Sequence, residues 1–115
     1  MNLRRVVVTG LGAITPIGNN VPMYWDGLLK GVSGAGPVTL FDASKFKTHF
    51  ACEVKGFNPD DYFDRKESRK MDRHVQFSLV VAKEALEDSK LALDQLDLDR
   101  VGVLFSTGIG GISSY

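Results

Sequence analysis

A mixed α/β fold follows from three features of this chain. Two short apolar runs, Arg4–Leu11 with Val6, Val7 and Val8 at its centre and Val101–Phe105, read as strands covered on both faces. Two stretches of helical spacing, Val21–Lys30 and Lys66–Ser89, lie between them. Helices interleaved with strands in one chain imply layers of helix against sheet. The 115 residues are 43% hydrophobic, which suits one ordinary globular segment, residues 1–115, without repeat or linker.

The first strand leads into a loop punctuated by Gly10, Gly12 and Gly18, where glycine permits tight turns or close backbone approach. Pro16 bars simple continuation of the strand. A dinucleotide-binding turn would need a third glycine where Thr15 stands, and no uninterrupted helix follows, so a nucleotide-dependent oxidoreductase is disfavoured. The helix at Val21–Lys30 has Asn20 as its cap, Pro22 in its first turn and Gly31 at its end. Trp25, Leu28 and Leu29 give it an apolar side. Gly31–Pro37 is a glycine-rich loop, and Phe46–Val54 alternates imperfectly and reads as a strand. Asn58-Pro59 starts a turn, followed by a short helical turn through Asp60–Phe63.

The longest element is a helix over Lys66–Ser89, whose Met71, Val75, Leu79, Ala82 and Leu86 recur at helical spacing. Phe77, Val80, Val81 and Ala85 broaden that stripe, which predicts a helix buried between layers. Asp94–Asp99 is a polar connection with Leu96 and Leu98 turned inward. The strand Val101–Phe105 and the Ser106–Gly111 loop follow, with a helix beginning towards Tyr115. A helix only begun predicts a segment of a larger protein.

Formal net charge is zero, so no overall field favours nucleic acid or an anionic membrane. The lone Cys52 precludes an internal disulfide and fits a reducing compartment. No apolar run reaches the ~18 residues of a membrane span, and the N-terminus has no signal-peptide pattern. A soluble cytoplasmic protein is expected.

Lys66, Arg69, Lys70 and Arg73 fall at i, i+3, i+4 and i+7, so on one helix they would share a side, with Arg65 beside them. Charge spacing alone describes a solvated face. Cations in the first turns, however, oppose the helix macrodipole by ~0.3–1 kcal/mol each, and that local cost asks for a function. The glycines of Ser106–Gly111 could form an anion-binding nest, but alone they read as a tight strand-to-helix turn. Cys52 lies in the Phe50–Glu53 strand without the glycine elbow or helix start that lowers a thiol pKa, so a structural role is expected. His49 and His74 form no zinc spacing with it. Asp60, Asp61, Asp64, Asp94, Asp97 and Asp99 lack the calcium-loop pattern and read as turn and cap residues.

Arg4–Asn19 resembles the N-terminus of the β-ketoacyl-acyl carrier protein synthases, the condensing enzymes of bacterial fatty acid synthesis. Phe41-Asp42, Phe57-Asn58, Arg65–Asp72 and Ser106–Gly111 are similar in the same order, so the resemblance covers essentially the whole chain. It implies a thiolase-like layered αβαβα fold, of which this chain is the N-terminal part and incomplete. It implies chain elongation by decarboxylative Claisen condensation of malonyl-acyl carrier protein with an acyl-cysteine enzyme. The cysteine nucleophile and two catalytic histidines belong to later motifs, so no catalytic residue is expected in this segment, which alone should be inactive. Neither cofactor nor metal is implied. By position, Lys66, Arg69 and Lys70 would dock the acidic acyl carrier protein, and Ile109 would gate the acyl tunnel. A branched residue there is typical of the type II branch, glycine of type I. The family forms homodimers. The alternative is a non-catalytic chain-length-factor partner of a condensing subunit, whose N-terminal half would look similar.

Overall fold

The computed structural model describes residues 3–112. They form two compact units, one of the chain through Gly12 with the chain from Pro59 onward, the other Ala13–Asn58. Regular structure is mostly helical, with one two-stranded sheet.

Ala13–Asn58 begins with a tight bridge in which Thr15 N–H donates to the Gly18 carbonyl at 2.8 Å. Helix α1 (Val21–Leu29) follows. The Asn20 Oδ1 accepts from Met23 N–H at 2.8 Å, Pro22 occupies the first turn, and Gly31 closes the end at φ 64°. Sequence and structure agree here to within one residue. The apolar side of α1, Trp25, Leu28 and Leu29, is exposed.

Strands β1 (Gly36–Pro37) and β2 (Phe50–Ala51) pair antiparallel, Gly36 opposite Ala51. The expected strand over Phe46–Val54 is therefore mostly absent. Phe46 N–H closes a turn onto the Ala43 carbonyl. At the other end the Glu53 carboxylate takes the N–H groups of Thr39 and Leu40, at 3.0 and 3.3 Å, and the Thr39 hydroxyl at 2.6 Å. Donors that a longer ladder would use are spent on a side chain. Cys52, expected within a strand in a structural role, lies just past β2 and is exposed. Nearby, hydrogen bonds from the Ser44 backbone N–H and then its hydroxyl hold the Asp42 carboxyl below its ordinary 3.8.

In the other unit, a 3-10 turn at Pro59–Asp61 leads to helix α2 (Arg65–Ser68) and helix α3 (Arg73–Ser89). The single helix expected over Lys66–Ser89 is thus two, because Asp72 is extended at φ −62°, ψ 153°. Lys90, left-handed at φ 55°, ends α3. Two 3-10 turns, Leu93–Gln95 and Leu98–Arg100, form the polar connection. Leu98 does not turn inward but is 64% exposed.

Neither of the two expected flanking strands has a ladder partner among the described residues: Arg4–Leu11 and Val101–Phe105 are unpaired chain with exposed apolar side chains. A strand exists by pairing, and apolar composition cannot supply the partner. The first segment meets α3 instead. Leu11 N–H donates to the Asp88 carboxylate at 2.9 Å. Cβ atoms on Gly10 and Gly12 would collide with the carbonyls of Ala85 and Val81, so these glycines serve close backbone approach. Helix α3 is not buried between layers: Gln76 is its only buried residue, and Leu79 and Leu86 are 47% and 44% exposed. Among the described residues no apolar side chain is buried. The helix foreseen towards Tyr115 lies outside the described residues.

Gly12→Ala should lower the free energy of unfolding by ~1–3 kcal/mol, since its Cβ meets immovable backbone. Gly36→Ala, whose nearest neighbour is the flexible end of Lys55 at 4.0 Å, should cost much less. Denaturant unfolding of the two variants checks the contrast.

Candidate functional site

The basic cluster is built by a helix that stops and starts again. Asp64 caps α2, its Oδ1 accepting from Lys66 N–H at 2.8 Å. Ser68 is buried, its hydroxyl 3.2 Å from the Arg65 carbonyl and 3.3 Å from Asp60 Oδ1. Lys70 N–H then bonds the Glu67 carbonyl and Met71 N–H the Ser68 carbonyl, a tightened last turn. Across the break, the buried Gln76 carboxamide donates from Nε2 to the Ser68 carbonyl at 2.8 Å and to the Met71 carbonyl at 3.2 Å. In one continuous helix those carbonyls would face the N–H groups four residues on. Here the Gln76 side chain substitutes for that ladder.

The break redistributes the cations. Lys66 lies on α2, Arg69 caps its end, Lys70 is in the turn and Arg73 opens α3, all exposed. They do not share one side of one helix, as the spacing had implied. The electrostatic objection shrinks accordingly, because Arg69 and Lys70 stand at the end of α2, where cations are favoured. Only Arg73 begins a long helix, and its guanidinium lies over the Phe77 ring, 5.0 Å from the centroid. Lys66, Arg69 and Lys70 make no ion pair among the described residues.

The Ser106–Gly111 loop belongs to the same unit. Ile109 is 76% exposed there, and Gly111 is left-handed at φ 74°. The loop's far end rests on the start of α3, Gly110 against the His74 ring and Gly111 beside the Asp72 carboxylate. Sequence spacing gave no sign of Gln76, His74 or Asp72 in these roles. A carboxamide reaching across a chain break carries no periodic signal.

Other candidates take the places expected of structural groups. Asp64 caps a helix, and Asp97 accepts from Asp99 N–H at 3.3 Å. His49 is exposed. No cluster of three or more His, Cys, Asp or Glu suited to a metal occurs among the described residues, and no helix there is long and apolar enough to cross a membrane.

Residues 3–115 match the family described as beta-ketoacyl synthase, N-terminal domain. A relative in Synechocystis sp., named 3-oxoacyl-[acyl-carrier-protein] synthase 2, is 50% identical over 109 residues, covering 95% of this chain and 26% of that protein. The synthase of the same name in Staphylococcus aureus is 44% identical over 112 residues, 97% of this chain and 27% of that one. The chain therefore spans about a quarter of the length of these relatives. Among solved structures, the ishigamide ketosynthase/chain length factor is similar at a TM-score of 0.71 and 41% identity, over 81% of this chain and 23% of that one. These likenesses fit a thiolase-like fold.

Gln76→Leu keeps the side chain's bulk and removes both donors, leaving the Ser68 and Met71 carbonyls with a lost partner. The expected cost is ~1–3 kcal/mol of stability, against under ~0.5 kcal/mol for Lys66→Ala on the surface. Thermal unfolding of the pair measures the difference.

Proposed function

The chain belongs to the β-ketoacyl synthase family, as part of its N-terminal domain, and from that premise we propose that the protein elongates fatty acids. An acyl group passes from a carrier-protein thioester to an enzyme cysteine. Malonyl-carrier protein then loses carbon dioxide, and its carbanion attacks the acyl thioester to give the β-ketoacyl carrier and free cysteine. The cysteine and two histidines come from sequence beyond this segment, which contributes carrier docking and the acyl-pocket entrance. In this reading residues 1–115 belong to the first half of a layered αβαβα homodimer in the cytoplasm. The exposed Val6–Val8 and Val101–Phe105 runs are then covered by the rest of the sheet.

The observation that carries the docking role is the basic turn, where Lys66, Arg69 and Lys70 are exposed and without an ion-pair partner among the described residues. Carrier proteins are acidic, and exposed complementary charge speeds a transient encounter more than it deepens affinity. Ile109, exposed in its glycine loop, suits a gate whose branched side chain an acyl group must pass. Likeness to a ketosynthase/chain length factor supports one alternative, a non-catalytic partner subunit. The residue at the nucleophile position of the longer chain separates the two.

Replacing Lys66, Arg69 and Lys70 together by Glu should lower kcat/KM for carrier-bound acyl substrates at low salt and leave the fold intact, with the loss narrowing as salt screens wild type. Normal turnover of carrier-bound substrate by the triple variant would reject the docking role. Ile109→Phe should slow cysteine acylation by long chains more than by short ones; equal slowing at every length would make Ile109 a packing residue only.

A further inference from the structure

His74 stands in the first turn of α3, next to the basic turn, with its ring against the gate loop. A Cβ on Gly110 would lie 2.5 Å from the Thr107 methyl of the same loop and 2.9 Å from both Cε1 and Nε2 of that ring, closer than packed atoms stand. Gly110 is not left-handed, so its lack of a side chain serves the contact and not the backbone. One residue on, a Cβ at Gly111 would lie 2.7 Å from Asp72 Oδ2. Two consecutive loop residues thus rest on the two residues that flank Arg73.

The ring is held by shape. Its Nδ1 is buried and has no hydrogen-bond partner among the described residues, so no hydrogen bond through that atom orients the ring. The ring also walls a cavity of about 370 Å³ with Val103, Phe105, Ser106 and Thr107, the residues that lead into the loop. The imidazole therefore touches the gate loop at its far end and borders the residues at its start, with Ile109 between.

We propose that His74 is a positioning residue for Ile109: by seating Gly110, its ring fixes the loop that carries the gate and so sets how acyl transfer depends on chain length. This rests on the gate role of Ile109 proposed above.

The test measures transfer from short- and long-chain acyl carrier proteins to the full-length enzyme, with carrier affinity measured separately. His74→Ala should change the long-to-short rate ratio by about tenfold, the scale of a small misplacement at a reacting group, and leave carrier affinity unaltered. His74→Phe, which keeps a planar ring and drops both nitrogens, should retain the wild-type ratio. Gly110→Ala should disturb the ratio by colliding with the Thr107 methyl and with the ring, and adding His74→Ala should relieve the ring's share, so the two effects are not additive. If His74→Ala does not fold, His74→Phe and the Gly110→Ala/His74→Ala pair still decide the matter.

Uniform slowing at every chain length, additive effects, or a His74→Phe enzyme with a disturbed ratio would each overturn the positioning role. If Ile109→Phe leaves the chain-length profile unchanged, the gate reading falls and this role with it. If Ile109→Phe shifts the profile and His74→Ala does not, only the role of His74 is wrong.

Discussion

The Gln76 carboxamide donates to the Ser68 and Met71 carbonyls, and the shape of the candidate site depends on those two bonds. They occupy carbonyls that a continuous helix would pair with its own backbone, and so compensate the chain for leaving α-geometry at Asp72. Without them the Met71 carbonyl would lose its partner and the Ser68 carbonyl would keep only its bond from Met71 N–H. With the break in place, α2 ends where Arg69 and Lys70 project, and α3 restarts with Arg73 and His74 directed to a new neighbour. Gln76 and Ser68 are the two buried polar residues of the chain as described, and they face each other across the break. A polar pair thus holds the site in a segment whose apolar side chains remain at least partly exposed.

That exposure has a consistent physical meaning. Val6–Val8, Leu104 and Phe105 have the composition of central strands, and yet no ladder forms on them among the described residues. Sheet stability resides in cross-strand pairs, so a strand-like sequence without its partners stays extended and bare. Relatives about four times longer are similar over nearly all of this segment, which supports the proposal that further chain supplies those partners. In the unit that holds both runs, the first of them makes its contacts on α3, through the approach of Gly10 and Gly12.

Legibility in the sequence followed the range of the interaction. Helix α1 was readable because its cap, Asn20, its early Pro22 and its terminal Gly31 lie within a dozen residues and act on their own backbone. Asp64 and Asp97 were readable as caps for the same reason. The division between α2 and α3 was not, because the stripe from Met71 to Leu86 keeps helical spacing straight through Asp72. Periodicity reports which side chains could share a face and is silent on whether a side chain takes over the backbone's hydrogen bonds. The short β2 strand failed likewise: Glu53 captures the donors of Thr39 and Leu40, a pairing set by the fold of the hairpin. For the site, the residue types Lys66, Arg69, Lys70 and Ile109 were visible from the resemblance, while the supports beneath them, Gln76, His74 and Asp72, were visible only in three dimensions.

The claim that a side chain divides this helix is tested most directly by backbone chemical shifts and hydrogen exchange across residues 64–90. The account predicts helical Cα shifts from Arg73 to Ser89, an extended shift at Asp72, and slowly exchanging Gln76 side-chain amide protons that correlate with Ser68 and Met71. An uninterrupted helical signature from Arg65 to Ser89, with freely exchanging Gln76 protons, would contradict it.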